Sequence, residues 1–150
     1  MKKKITREEV LNKCMQMQEA QVENFENRVA SMKSDINNQD DSASQTEDRQ
    51  AGNTELLTIY ENELAFSTTD LQYLKSLSPM DAYATVQPGA LVITKDILFF
   101  IAISTEKFDI DGIEIVGISD RAPIYQVMEG LAKGDSFNFN EAKYKIEDLY

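Results

Sequence analysis

The sequence predicts an α+β protein: a long antiparallel α-helical coiled-coil hairpin in residues 1–79, then a small antiparallel β-rich domain with one short helix in residues 80–150. Two observations carry this. Apolar residues recur at helical spacing through the first half, with no glycine or proline before Gly52. From Leu91 onward the pattern changes to short β-branched and aromatic runs bounded by turn residues, as strands require.

The first helix follows from Leu11, Met15, Gln18, Val22, Phe25, Val29, Met32 and Ile36, which succeed one another at alternating steps of four and three. That is the seam of a coiled coil. A helix over residues 6–37 is about 50 Å long. A second seam runs through Leu57, Tyr60, Leu64, Ser67, Leu71 and Leu74 at steps of three and four, and Leu77 extends it. Ser78-Pro79 ends that helix, because the residue before proline avoids the α region and proline lacks a donor. Gln18, Ser67 and Tyr60 are the polar members of the seams and set their register. Between the seams, residues 38–53 hold no large apolar side chain. Ser44 and Glu47 fit a capping box, so the second helix begins near Gln45. Two helices of equal length with a short connection form an antiparallel hairpin, and the polar segment is its tip, with Asp40, Asp41, Glu47 and Asp48 as the tip acids.

In the second half, residues 91–94, 97–103, 108–110 and 113–118 read as strands. Asp111-Gly112 marks a tight hairpin between the last two; the nearby Asp109 does not make this a calcium loop, which needs further oxygen ligands. Pro123 opens a short helix over residues 124–129 and Gly130 closes it. Lys133-Gly134-Asp135 is a turn, and residues 137–139 and 144–146 form a last hairpin. Together these predict a twisted antiparallel sheet packed on one helix.

Composition narrows the function. The net charge is −11 and histidine is absent, with a sequence pI near 4.4. Such a chain is repelled by phosphate backbones, which argues against direct nucleic-acid recognition. Without histidine there is no Ser-His or Cys-His nucleophile pair and no imidazole metal ligand. The single cysteine, Cys14, forms no internal disulfide and suits a reducing cytoplasm. The longest apolar run, residues 97–103, is far short of the roughly 20 residues a membrane helix needs. Lys2, Lys3 and Lys4 are followed by Arg7, Glu8 and Glu9 rather than an apolar stretch, unlike a signal peptide.

Residues 118–135, Ile-Ser-Asp-Arg-Ala-Pro-Ile-Tyr-Gln-Val-Met-Glu-Gly-Leu-Ala-Lys-Gly-Asp, resemble the C-terminal signature of the bacterial Gre transcript-cleavage factors (GreA/GreB): a strand ending in serine, a Ser-Pro-Ile/Leu helix, a glycine, and a Gly-Asp turn before a strand. Tyr144-Lys-Ile146 resembles the family's final strand, and Gly89-Ala-Leu-Val92 its opening one. The hairpin placed before this domain resembles the family in architecture. The resemblance implies an FKBP-like C-terminal domain that docks on RNA polymerase, with Ser119, Pro123, Ile124, Gly134 and Asp135 as docking residues. It implies a tip that enters the secondary channel, where Asp48 and Glu47 act in transcript cleavage. There Asp40, Asp41, Glu47 and Asp48 share a Mg²⁺ with the polymerase, and the protein holds no cofactor of its own. The family's tip carries an Asp followed closely by a Glu. No Asp-x-x-Glu or Asp-x-Glu pair occurs between Asn37 and Asn53, so the expectation leans toward a factor without catalytic activity of its own. Ala122 stands where the family has serine before the proline, which removes an N-cap oxygen worth about 1 kcal/mol.

A monomer is expected, with RNA polymerase as partner and no membrane association. The competing reading is a coiled-coil interaction adaptor unrelated to polymerase. A prolyl isomerase is disfavoured, since fold analogy alone does not supply a proline pocket.

Overall fold

The computed structural model describes residues 4–38 and 45–150. Helix α1 spans Arg7–Asn38 and α2 spans Gln45–Ser76. Thr6 caps α1: its Oγ accepts the Glu9 N–H at 3.1 Å and donates to the Glu9 carboxylate at 3.3 Å, satisfying a backbone donor that the first turn leaves unpaired. At the end of α2 the Leu77 N–H tightens back onto the Leu74 carbonyl, just ahead of Pro79.

The described chain divides into two compact units. One takes the residues up to Met15 together with Tyr73–Tyr150; the other is Gln16–Gln72. In the second unit the helices run antiparallel with the predicted seams facing each other. Val22, Val29 and Leu71 are buried there. The Gln18 amide donates to the Ser67 carbonyl at 2.9 Å, and Gln21 reaches the Ser67 hydroxyl at 3.4 Å. Arg28 lies over both Phe25 and Tyr60. The buried Gln18–Ser67 bond pins the register that an apolar seam alone leaves free to slide.

The first unit is built on a five-stranded sheet, in the order β3-β4-β2-β1-β7. Its strands are β1 (Leu91–Ile93), β2 (Leu98–Ile101), β3 (Phe108–Ile110), β4 (Ile113–Ile118) and β7 (Asp148–Leu149). Helix α3 (Pro123–Met128) follows β4, and β5 (Ser136–Phe139) with β6 (Ala142–Lys145) form a separate two-stranded hairpin. The sheet is mixed, which corrects the expectation of an antiparallel one: β2 and β4 pair in parallel, with Phe99 opposite Val116. The cause lies in residues 102–107, which carry the chain past one strand position, so that β3 becomes the edge and β4 returns to fill the gap. Gly117 makes this crossing possible. A Cβ there would lie 2.4 Å from the Ile103 carbonyl oxygen, and its N–H donates to the Thr105 hydroxyl at 2.8 Å. The β3–β4 turn has φ of 51° at Asp111 and 82° at Gly112, the two left-handed positions a tight hairpin turn needs.

Both faces of the sheet are covered, which is why β2 is buried at every residue and reads as an unbroken apolar run. One face presents Leu91, Leu98, Phe100 and Ile115 to Ile5, Val10, Leu11, Cys14 and Leu74 of the helical segments. The other presents Val92, Phe99 and Ile101 to Ile124, Tyr125, Met128, Phe137 and Ile146. Phe99 meets Tyr144 and Phe137 edge-on at 5.5 and 6.1 Å. Among the described residues no helix is long and apolar enough to cross a membrane.

Candidate functional site

The sequence places candidate residues at two locations. Of the tip acids, Asp40 and Asp41 lie outside the described residues, as does Ser44 of the capping box. Glu47 and Asp48 fall in the first turn of α2, and their side chains are likewise outside the description. Elsewhere, among the described residues, no group of three or more metal-ligating side chains comes together.

The C-terminal candidates form two groups, each held by its own turn. Ser119 opens the loop between β4 and α3. Its hydroxyl accepts the Arg121 N–H at 3.3 Å and its carbonyl accepts the Ala122 N–H at 3.1 Å. Ala122 occupies the N-cap position of α3 in an extended conformation with no side-chain cap, and Pro123 follows in the first turn, where its fixed φ suits a helix and its missing donor costs nothing. Pro123 is exposed. Ile124 is buried in the core with Tyr125 and Met128, because a six-residue helix lying on a sheet turns that side inward. Close by, two phenols are held above their ordinary pKa. For Tyr73 the causes are burial, then the Asp120 carboxylate, then Tyr83. For Tyr125 they are burial, then Glu129, Asp120 and Tyr73. Asp120, exposed just before α3, thus contributes to both shifts.

Gly134 and Asp135 build the turn into β5. Gly134 has φ of 95° and donates to the Ile146 carbonyl at 2.8 Å. The Asp135 carboxylate accepts the Ala132 N–H at 2.9 Å, while its backbone exchanges bonds with Ala132 and Ile146. The Gly-Asp pair therefore has a structural task in this turn, and the Asp135 side chain is committed to it even though the residue is exposed.

One further charged residue was not singled out by sequence. Arg7, in the first turn of α1, is almost fully buried. Its guanidinium donates to the Gly89 carbonyl at 2.9 Å and to the Ser78 carbonyl, and it lies 5.0 Å from the Tyr83 ring. It ties the helix start to the two loops that flank residues 79–88. A groove of about 690 Å³ also opens in this unit, lined by Lys4, Lys95, Asp96, Glu114, Asp148 and Tyr150 among others. Its walls mix both charges and point to no single ligand.

No family model matches the chain, and no curated protein matches it either. Solved structures align with it, among them two of Gfh1. One, of the transcription factor Gfh1, is covered over 92% of its length by 91% of this chain, at 14% identity and a TM-score of 0.33. The other, of the GreA factor homolog 1 (Gfh1) protein of Thermus thermophilus, is covered over 94% by 91% of this chain, at 13% identity and the same TM-score of 0.33. The chain is similar to these proteins along nearly its whole length, at a score too low to carry fold or function across.

Proposed function

We propose that this protein is an RNA polymerase-binding regulator of the Gre type. A C-terminal domain of FKBP-like kind would dock on polymerase, and the tip of the helical hairpin would enter the secondary channel. The observation that supports this reading best is one of order along the chain. Two helices of 32 residues each pair antiparallel through a heptad seam, and the Gre-like stretch from Ser119 to Asp135 follows them in the sequence. In this reading the exposed Pro123 belongs to the docking face, together with Ser119 and the Gly134–Asp135 turn, while Ile124 serves that face from beneath.

The tip carboxylates Asp40, Asp41, Glu47 and Asp48 would share a Mg²⁺ with the polymerase, a hard cation that takes oxygen ligands and polarises the phosphodiester and its attacking water. Because the Asp–Glu pair of the family is missing from residues 37–53, occupation of the channel without cleavage is the favoured version. The test is an artificially backtracked polymerase complex from the source organism, with Mg²⁺, with and without the protein, and with Glu47→Ala/Asp48→Ala as control. Protection of the complex against a known cleavage factor, without shortened RNA, is the expected result. Shortened and extendable RNA that disappears in the double variant would make it a cleavage factor. No binding to polymerase at all would leave the adaptor reading.

A further inference from the structure

Helix α2 carries a second stripe beside its buried seam. Leu56, Ile59, Glu63, Phe66 and Asp70 follow one another at steps of three, four, three and four, so they share one face of the helix. Single exposed apolar residues are ordinary on a protein surface, but a contiguous set of large ones marks an interaction surface. Here Leu56 is 38% exposed, Ile59 54% and Phe66 68%. Glu55, Glu63 and Asp70 lie within and beside the stripe and are exposed, and among the described residues no ion pair engages any of the three. The stripe is thus apolar knobs alternating with free carboxylates, the pattern by which coiled-coil partners choose one another through charge.

We infer that this face of α2 is a docking strip for a basic amphipathic helix of another protein, with apolar residues against Ile59 and Phe66 and lysine or arginine against Glu63 and Asp70. Charge selects this occupant. A second copy of the chain would bring the same carboxylates and a further net charge of −11 against the strip. Nucleic acid and anionic lipid surfaces are repelled for the same reason. The strip goes beyond the polymerase reading and does not depend on it.

The test uses the full chain, isotope-labelled, titrated with a synthetic three-heptad peptide of leucine and lysine, and separately with its leucine–glutamate counterpart. The expected result is amide shifts centred on residues 52–70 with the lysine peptide only. Binding should weaken about tenfold in Ile59→Ser/Phe66→Ser, as for loss of interface anchors. It should weaken likewise in Glu63→Lys/Asp70→Lys, and as salt rises toward about 1 M, where the screening length is about 3 Å. Circular dichroism of both variants checks that the helices stay intact. Equal binding of the glutamate peptide, shifts elsewhere in the chain, or no shifts would overturn the proposal. So would concentration-dependent dimers that disappear in the Ile59→Ser/Phe66→Ser variant, since they would assign the strip to a second copy.

Discussion

Replacing Arg7 by methionine tests whether a buried cation holds the base of the structure together. Methionine fills a similar volume and removes both hydrogen bonds to the Gly89 and Ser78 carbonyls. A bond from a charged donor is worth about 1.5–3 kcal/mol, so losing two costs about 3–6 kcal/mol. Against this stands the desolvation of a guanidinium with no carboxylate partner among the described residues, whose Nε has no hydrogen-bond partner; relieving a buried charge recovers several kcal/mol. Setting about 3 kcal/mol for that recovery against the middle of the range of about 3–6 kcal/mol leaves a net loss of about 2 kcal/mol. In urea, with a slope of about 2 kcal/mol per M, the midpoint of the transition falls by about 1 M. Far-ultraviolet circular dichroism follows the helices, and tyrosine fluorescence reports on the sheet-bearing unit, since the chain has no tryptophan and Tyr83 lies against the guanidinium. Arg7→Lys should lose at least as much, as one ammonium cannot fork to two carbonyls. A methionine variant as stable as the parent, or more so, would refute the reasoning and show that desolvation outweighs the bonds.

Gly117→Ala should destabilise by at least about 2 kcal/mol, since its Cβ meets the Ile103 carbonyl oxygen rather than a movable side chain; an unchanged thermal midpoint would contradict the described crossing. Phe99→Ala should cost about 3–5 kcal/mol, and near-ultraviolet dichroism should lose the signal of its cluster with Phe137 and Tyr144. Burial pushes the Cys14 thiol from the ordinary 9.0 up to about 12. The folded state therefore keeps its proton where the unfolded chain releases it, and stability present below pH 9 is lost as pH rises from 9 toward 12. Cys14→Ala should flatten that alkaline slope, and a thiol reagent at pH 8 should label the native protein only as fast as it unfolds.

Much of the fold is legible in residues whose chemistry is local. The two seams appear in the sequence because apolar spacing fixes a helix face without reference to anything distant. Asp111-Gly112, Pro123 and Gly130 declare their turns because so few residues tolerate those backbone angles. What stays hidden depends on groups with no sequence signature. Arg7 looks like an ordinary charged residue in a first helical turn, since its partners are backbone carbonyls far along the chain. The parallel pairing of β2 with β4 hides behind the expectation that consecutive strands are neighbours. The two-residue β7 is too short to show a period. The association of residues 4–15 with the sheet is masked too, because their apolar pattern continues that of the seam without a break. At the candidate docking face the sequence names the right turns but not the direction of each side chain, so Ile124 and Asp135 are found serving the core and their own turn. The Ile59–Phe66 stripe is overlooked for the opposite reason: it sits one position from a stronger seam that accounts for the helix.

The hydroxyl of Tyr150 donates to the carbonyl of Ile5, 145 residues earlier, and the backbone of Tyr150 pairs with Leu91. This arrangement sets a timetable for synthesis. The hairpin helices make contacts within one continuous stretch and fold as soon as that stretch leaves the ribosome. The sheet must wait for the final strand, roughly 4–15 seconds later at about 5–20 residues per second. Throughout that interval the apolar side chains of Val10, Leu11 and Cys14 stand without their cover, a window in which a chaperone would find this chain.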